Sequence, residues 1–180
     1  NLKNLEDINR LEDEGEQSYY LTKYLLEKYP QKKWIIDAGA LQMMEPEWLL
    51  PLHGNVILTP HPGEMARLSN MTVKQIEENR IEVAREFAQE NRVYMLLKGH
   101  RSIIAAPDGE VCINPHGNDA LGKGGSGDVL TGLIASFLAQ GTVPLHAMSA
   151  ASYLHARAGE EKAKTLSHYG VMPSDIIDGV

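Results

Sequence analysis

Gly124, Gly125, Ser126, Gly127 and Asp128 follow one another at the end of a glycine-rich run that starts at Gly117. Behind them Val129, Leu130, Leu133, Ile134, Phe137 and Leu138 recur at helical spacing, so a flexible loop opens onto a helix. At such a junction the first-turn N–H groups lack intrahelical partners and the macrodipole adds partial positive charge, so the chemistry on offer is the holding of an anion. Glycines leave no Cβ between a phosphate oxygen and those amides, and they take positive φ without strain. Asp128 stands one residue beyond the cradle. A carboxylate there would be repelled by bound phosphate, and its use would be to take a proton from a hydroxyl about to attack a phosphoryl group. The plainer alternative is a turn before a helix, with Asp128 serving only the helix dipole. A third reading uses Gly117 to Lys123, which fits the GxxxxGK opening of a P-loop. It lacks the Ser or Thr that should follow the lysine to hold magnesium, because Gly124 comes next.

Three more positions have chemical potential because they end apolar runs. Asp37 closes KWIID (33–37), as carboxylates do where buried parallel strands end at a site, although it can equally cap a helix over Gly39 to Met43. The turn TPHPGE (59–64) follows NVILT (55–59), and its two prolines stiffen the backbone that presents His61 and Glu64. The alternatives are a surface imidazole and a first-turn carboxylate. Lys98, with Gly99 behind it, follows Val93 to Leu97 and can meet a phosphate as a point charge or stay a solvated lysine.

The elements that must position these residues read as strands alternating with helices, the pattern of an α/β sheet. A helix is expected over Glu16 to Tyr29, stopped by Pro30, and a short one over Pro46 to Leu50. A capping box at Thr72 to Gln75 opens a helix expected to run through Ile76, Val83, Ala84 and Phe87 to about Asn91. Ser102 to Ala106 and Glu110 to Asn114 flank Pro107-Asp108-Gly109 and predict a β-hairpin. Gly141 should end the helix that follows the cradle, and Thr142 to Arg157 and Ser174 to Val180 predict two more. Asn1 to Gly15, highly charged with weak spacing at Leu2, Leu5, Ile8 and Leu11, reads as a solvated or frayed segment.

Composition narrows the function classes. With 180 residues, 43% hydrophobic, the chain can build one core, and one domain over 1–180 is expected. The net charge of −7 argues against nucleic acid or an anionic membrane as partner. Lone Cys112 lies in an alternating apolar run, which argues against a catalytic thiol and agrees with a reducing compartment. The longest apolar run, Val129 to Ala139, is too short to span a bilayer, so a cytoplasmic protein is expected. The seven histidines show no zinc-ligand spacing.

Five stretches in fixed order add a more specific signal: IIDAGAL (35–41), LTPHPGEMARL (58–68), LLKGHRSIIAAPDGEV (96–111), NPHGNDALGKGGSGDVLTG (114–132) and LIASFLAQG (133–141). Together they resemble the ribokinase-like superfamily and, more closely, the NAD(P)H-hydrate dehydratases, over nearly all of Trp34 to Gly159. The resemblance implies a three-layer α/β/α domain with a mostly parallel sheet plus a β-hairpin. It implies that ADP or ATP is a co-substrate accompanied by Mg2+, and that a hydrated NADH or NADPH is dehydrated through phosphorylation of its ring hydroxyl. His61 and Asp128 would contact the hydrated nicotinamide, with Asp37 beside them and Asp128 as base. Lys98, Gly99, His100, Arg101 and Ser102, with Gly124, Gly125, Ser126 and Gly127, would line the nucleotide site, and Glu64 would stand near magnesium, through water. Other possibilities are a kinase of a small vitamin-precursor alcohol on the same fold, or a nucleotide-binding fragment without turnover. Lys123 departs from the small residue usual at its position. The family's N-terminal βα units are not matched, so an incomplete domain is expected, its sheet edge covered by a missing N-terminal segment or by a homo-oligomer partner.

Overall fold

Strand residues in this chain are apolar on both faces, as they must be in a sheet covered by helices on each side. The computed structural model, which describes residues 4–52 and 54–180, has five strands: β1 Trp34–Ile36, β2 Val56–Leu58, β3 Tyr94–Leu97, β4 Ile103–Ala105 and β5 Val111–Ile113. They lie side by side in chain order. β1, β2 and β3 run parallel, with Ile35 opposite Ile57 and Leu58 opposite Met95. β4 and β5 add the expected hairpin in antiparallel register, Leu96 facing Ile104 and Ile104 facing Cys112.

The two-residue period sorts these side chains into two cores. Ile36, Leu58, Met95, Leu97 and Ile103 join the residues buried beneath α3 Ala38–Met43, α4 Pro62–Ser69, α5 Val73–Glu78 and α6 Arg80–Asn91. Ile57, Leu96 and Ile104 point the other way, onto α7 Ser126–Ala139 and α8 Pro144–Leu166. Three layers result, as expected. Each fully buried Leu, Ile or Met here contributes about 1.5–3 kcal/mol, so both faces hold the sheet rigid beneath the loops that leave it.

Several expectations about local structure are revised. The helix predicted from Thr72 to Asn91 is two helices, broken at Asn79, whose φ of −136° is outside the helical range. The break turns Arg80 toward the loop after β3, where its guanidinium donates to the carbonyls of Leu97, Lys98 and His100. α8 runs nine residues past Arg157, to Leu166, because Ala158, Gly159 and Ala163 are small enough to bury against the short helical turn Asp119–Leu121 and α9 Pro173–Gly179. The segment expected to be frayed contains a turn of helix, α1 Leu5–Asn9, capped by Asn4, with Ile8 wholly buried; Leu2 lies outside the described residues. α2 Glu14–Lys28 follows, capped by Asp13.

Candidate functional site

Three loops leave the same end of the sheet and meet at the start of α7. After β2, Pro62 begins α4 with His61 as its N-cap. His61 Nδ1 accepts from the amides of Gly63 (3.0 Å) and Glu64 (3.1 Å), and the buried Glu64 carboxylate accepts from the His61 amide at 2.8 Å. This reciprocal box satisfies two first-turn donors and the N-cap amide. Since Nδ1 accepts, the imidazole proton sits on Nε2, which stands 3.6 Å from Glu64 Oε1 on a half-exposed ring. Glu64 is therefore held by the helix start and by Lys98 Nζ, 3.9 Å away.

After β1, Asp37 caps α3 through the Ala38 amide at 2.9 Å, and its carboxylate also takes Lys98 Nζ at 2.7 Å and Thr131 Oγ1 at 2.9 Å. Both readings of Asp37 meet in one side chain: it caps a helix, and it stands at the junction. Burial pushes its carboxyl upward, but the bond and charge of Lys98, with the Ala38 and Thr131 bonds, outweigh that and hold it below the ordinary aspartate range. The pair lies directly behind α7, since a Cβ on Gly127 would stand 3.5 Å from Lys98 Nζ and 3.7 Å from Asp37 Oδ2.

The cradle has the geometry that its glycines allow. Gly125 is left-handed at φ 92° and precedes Ser126, the first residue of α7. The helix starts three residues after Lys123, which disposes of the P-loop reading. Lys123 Nζ is turned to the carbonyl of Tyr169, 2.6 Å away. Above the cradle opens a cavity of about 630 Å³, in the range of small-molecule sites. His61, Lys98, Gly99, His100, Ser102, Gly124, Ser126 and Gly127 line it among the residues expected from the sequence. Asp37, Glu64 and Gly125 support that lining from behind without lining it, and Arg101 is exposed outside it. Asp128 lies in the first turn of α7, exposed, outside the lining, and its carboxylate has no hydrogen-bond or ion-pair partner among the described residues.

The opposite wall was not anticipated. Asn114 Nδ2 donates to the carbonyl and hydroxyl of Ser152 on α8, and its Oδ1 accepts from the His116 amide. The Gly117 amide donates to Glu160 at 2.8 Å, a bond that holds the Glu160 carboxyl below its usual range and is helped by Arg157 at 2.7 Å. His155, also on α8, is buried against Ser126, and that burial pushes its ring below the ordinary histidine pKa, partly offset by the bond to the Ser126 carbonyl. Asn114 and His116 stood in a quoted motif, NPHGND. The α8 residues gave no signal, because Ser152, His155 and Glu160 sit in an ordinary helical pattern.

No group of three or more His, Cys, Asp or Glu able to hold a metal occurs among the described residues. Nor is any described helix long and apolar enough to cross a membrane.

Comparison with known proteins identifies the family of the chain. The profile of the NAD(P)H-hydrate dehydratase family matches residues 10–180. The bifunctional NAD(P)H-hydrate repair enzyme Nnr of Moorella thermoacetica is 44% identical over 160 residues, covering 88% of this chain and 30% of that protein. The ADP-dependent (S)-NAD(P)H-hydrate dehydratase of Bacillus subtilis is 44% identical over 127 residues, covering 70% of this chain and 45% of that protein. The chain thus spans less than half the length of these curated relatives. A crystal structure of the ADP/ATP-dependent NAD(P)H-hydrate dehydratase from Bacillus subtilis, co-crystallised with ATP and Mg2+ and soaked with CoA, superposes with a TM-score of 0.77 at 34% identity, covering 87% of this chain and 58% of that one. On sequence and fold, this chain belongs to the NAD(P)H-hydrate dehydratase family.

Proposed function

We propose that this chain supplies the nucleotide-binding and phosphoryl-transfer part of an ADP- or ATP-dependent NAD(P)H-hydrate dehydratase. The observation that carries the reading is the cavity over the first turn of α7, floored by Gly124, Ser126 and Gly127 and flanked by Lys98 and Ser102. The nucleotide lies there with its terminal phosphates on the free amides, which offset the charge that develops as the phosphoryl group moves. Asp128, beside the cradle and open to solvent, takes the proton of the ring hydroxyl of hydrated NADH or NADPH as that oxygen attacks the phosphoryl group. Phosphate then departs with the former hydroxyl oxygen while a proton is lost from the neighbouring ring carbon, which restores the ring double bond; hydroxide would be a poor leaving group for this step. The half-exposed His61 ring lines the same cavity and serves substrate rather than nucleotide.

Magnesium fits this arrangement only as an ion brought by the phosphates. Glu64 is engaged with the His61 amide and can reach such an ion through water, in keeping with the waters Mg2+ usually retains. The substrate's outer wall comes from elements beyond this chain: either an N-terminal segment or a second copy pairs with the open edge of β1. The reading places the protein in the cytoplasm with its nucleotide substrates.

Hydrated NADH is mixed with the chain and ADP or ATP, alone and with the N-terminal portion of a longer relative, and the reduced-nicotinamide absorbance is followed. Recovery of the band supports the proposal. Absence of recovery in both, with phosphorylation of a thiazole or pyrimidine alcohol, establishes the kinase reading instead. Nucleotide binding without either reaction leaves a binding fragment.

A further inference from the structure

His155 lies on α8, yet its imidazole ends against the first residue of α7. Its Nε2 is 2.9 Å from the Ser126 carbonyl oxygen and 3.0 Å from the Ser126 Oγ. Both residues are almost wholly buried, His155 at 6% and Ser126 at 2% exposure, while each still contributes to the wall of the cavity. A carbonyl oxygen has no proton to give, so the bond at 2.9 Å requires that Nε2 carry the hydrogen. That one N–H faces both Ser126 oxygens. The Ser126 hydroxyl is consequently an acceptor toward His155, and its own proton must go elsewhere.

The remaining direction is the cavity. Ser126 Oγ makes no other hydrogen bond among the described residues, and Gly124 and Gly127 on either side line the same floor. A serine at a helix start often spends its hydroxyl on nearby backbone. Here the imidazole removes that freedom. We propose that His155 is a positioning residue that commits the Ser126 hydroxyl proton to the phosphate chain of the bound nucleotide, adding a side-chain donor to the backbone amides of the cradle. The proposal rests on the nucleotide reading above and deepens it: His155 touches neither substrate nor reacting atoms, and it acts only through Ser126.

The test uses the 180-residue chain with two probes, ADP and adenosine, and calorimetry. Ser126→Ala and His155→Phe should each weaken ADP roughly tenfold, as expected for one hydrogen bond to a charged group. The double variant should be no weaker than either alone, since both remove the same donor. His155→Gln, whose amide Nε2 reaches about where the imidazole Nε2 stood, should regain most of the ADP affinity. Adenosine, which has no phosphate, should bind the wild type and all four variants equally. Nitrogen-15 spectra of the unliganded protein should show the His155 proton on Nε2. Additive losses in the double variant, an equal loss of adenosine, or an Nδ1–H tautomer each overturn the proposal while leaving the nucleotide reading intact. A wild-type chain that binds no ADP overturns both.

Discussion

Asp37 and Lys98, sixty-one residues apart in the chain, meet at 2.7 Å immediately behind Gly127, so the ends of β1 and β3 are tied together beneath the start of α7. Only 10% of the Asp37 side chain and 21% of that of Lys98 are exposed. Replacing one partner leaves the other charge in a poorly solvated place, whereas asparagine at 37 can still accept from the Ala38 amide. Asp37→Asn should therefore lower stability by about 1–3 kcal/mol. Because the folded carboxyl titrates below its ordinary value of 3.8, its contribution is complete above that value and fades as the pH falls through the folded pKa. Denaturant unfolding at a series of pH values should show wild type and Asp37→Asn converging in acid. A constant gap down to the lowest pH would contradict the ion-pair account.

Asp128, unlike Asp37, has no hydrogen-bond or ion-pair partner among the described residues. Asp128→Asn keeps the shape of the helix start and removes the base proposed above. Turnover of hydrated NADH should fall by about 10²–10⁴-fold, the usual worth of a general base, while the melting temperature stays within a degree or two and ADP affinity holds or rises. Loss of fold or of nucleotide binding in this variant would assign Asp128 a structural part instead.

The glycines of the cradle should separate by mechanism. Gly125 is left-handed at φ 92°, and a Cβ there would come within 3.1 Å of Pro173 Cγ on α9. Gly125→Ala should destabilise the protein by about 1–2 kcal/mol through backbone strain. Gly127 has no such φ, and its added methyl meets only ordinary contacts at 3.5 and 3.7 Å. Gly127→Ala should be neutral or slightly stabilising as a helix residue, yet weaken ADP by crowding the Lys98 ammonium that lines the cavity. Thermal unfolding and calorimetry on the two variants check the crossing pattern.

Arg80 is the element of the site most easily overlooked. Its fork gathers carbonyls of Leu97, Lys98 and His100, shaping the loop that carries Lys98, Gly99 and Ser102. A lysine cannot reproduce a planar fork. Arg80→Lys should cost about 1–2 kcal/mol and weaken ADP several-fold, with hydrogen exchange rising in residues 98–102 and unchanged in α7. Uniform exchange across the chain would refute a local role.

What sequence alone made legible follows from local rules. Alternating and continuous apolar runs placed β1 to β5 within a residue or two, since a strand buried on both faces must be apolar throughout. The glycines before Ser126, the capping box at Thr72 and the prolines around His61 have local backbone consequences, and these hold. The break at Asn79 was not legible. Helix propensity runs on through it, and its reason is Arg80 reaching carbonyls seventeen to twenty residues away. Asp37 could be named as a cap or as a site residue, but its partners Lys98 and Thr131 come from other strands and helices. The far wall made by Ser152, His155 and Glu160 lay hidden for the same reason. A buried polar residue on a helix has the periodicity of any core residue, and only the packing of α8 against α7 brings an imidazole to the hydroxyl of Ser126. Residue type and spacing thus determined which chemistry the chain can carry. The tertiary structure decided which charges are already spent, on Asp37, Lys98 and Glu64, and that Asp128 has no partner among the described residues, because pairing depends on distances across the fold that no local pattern encodes.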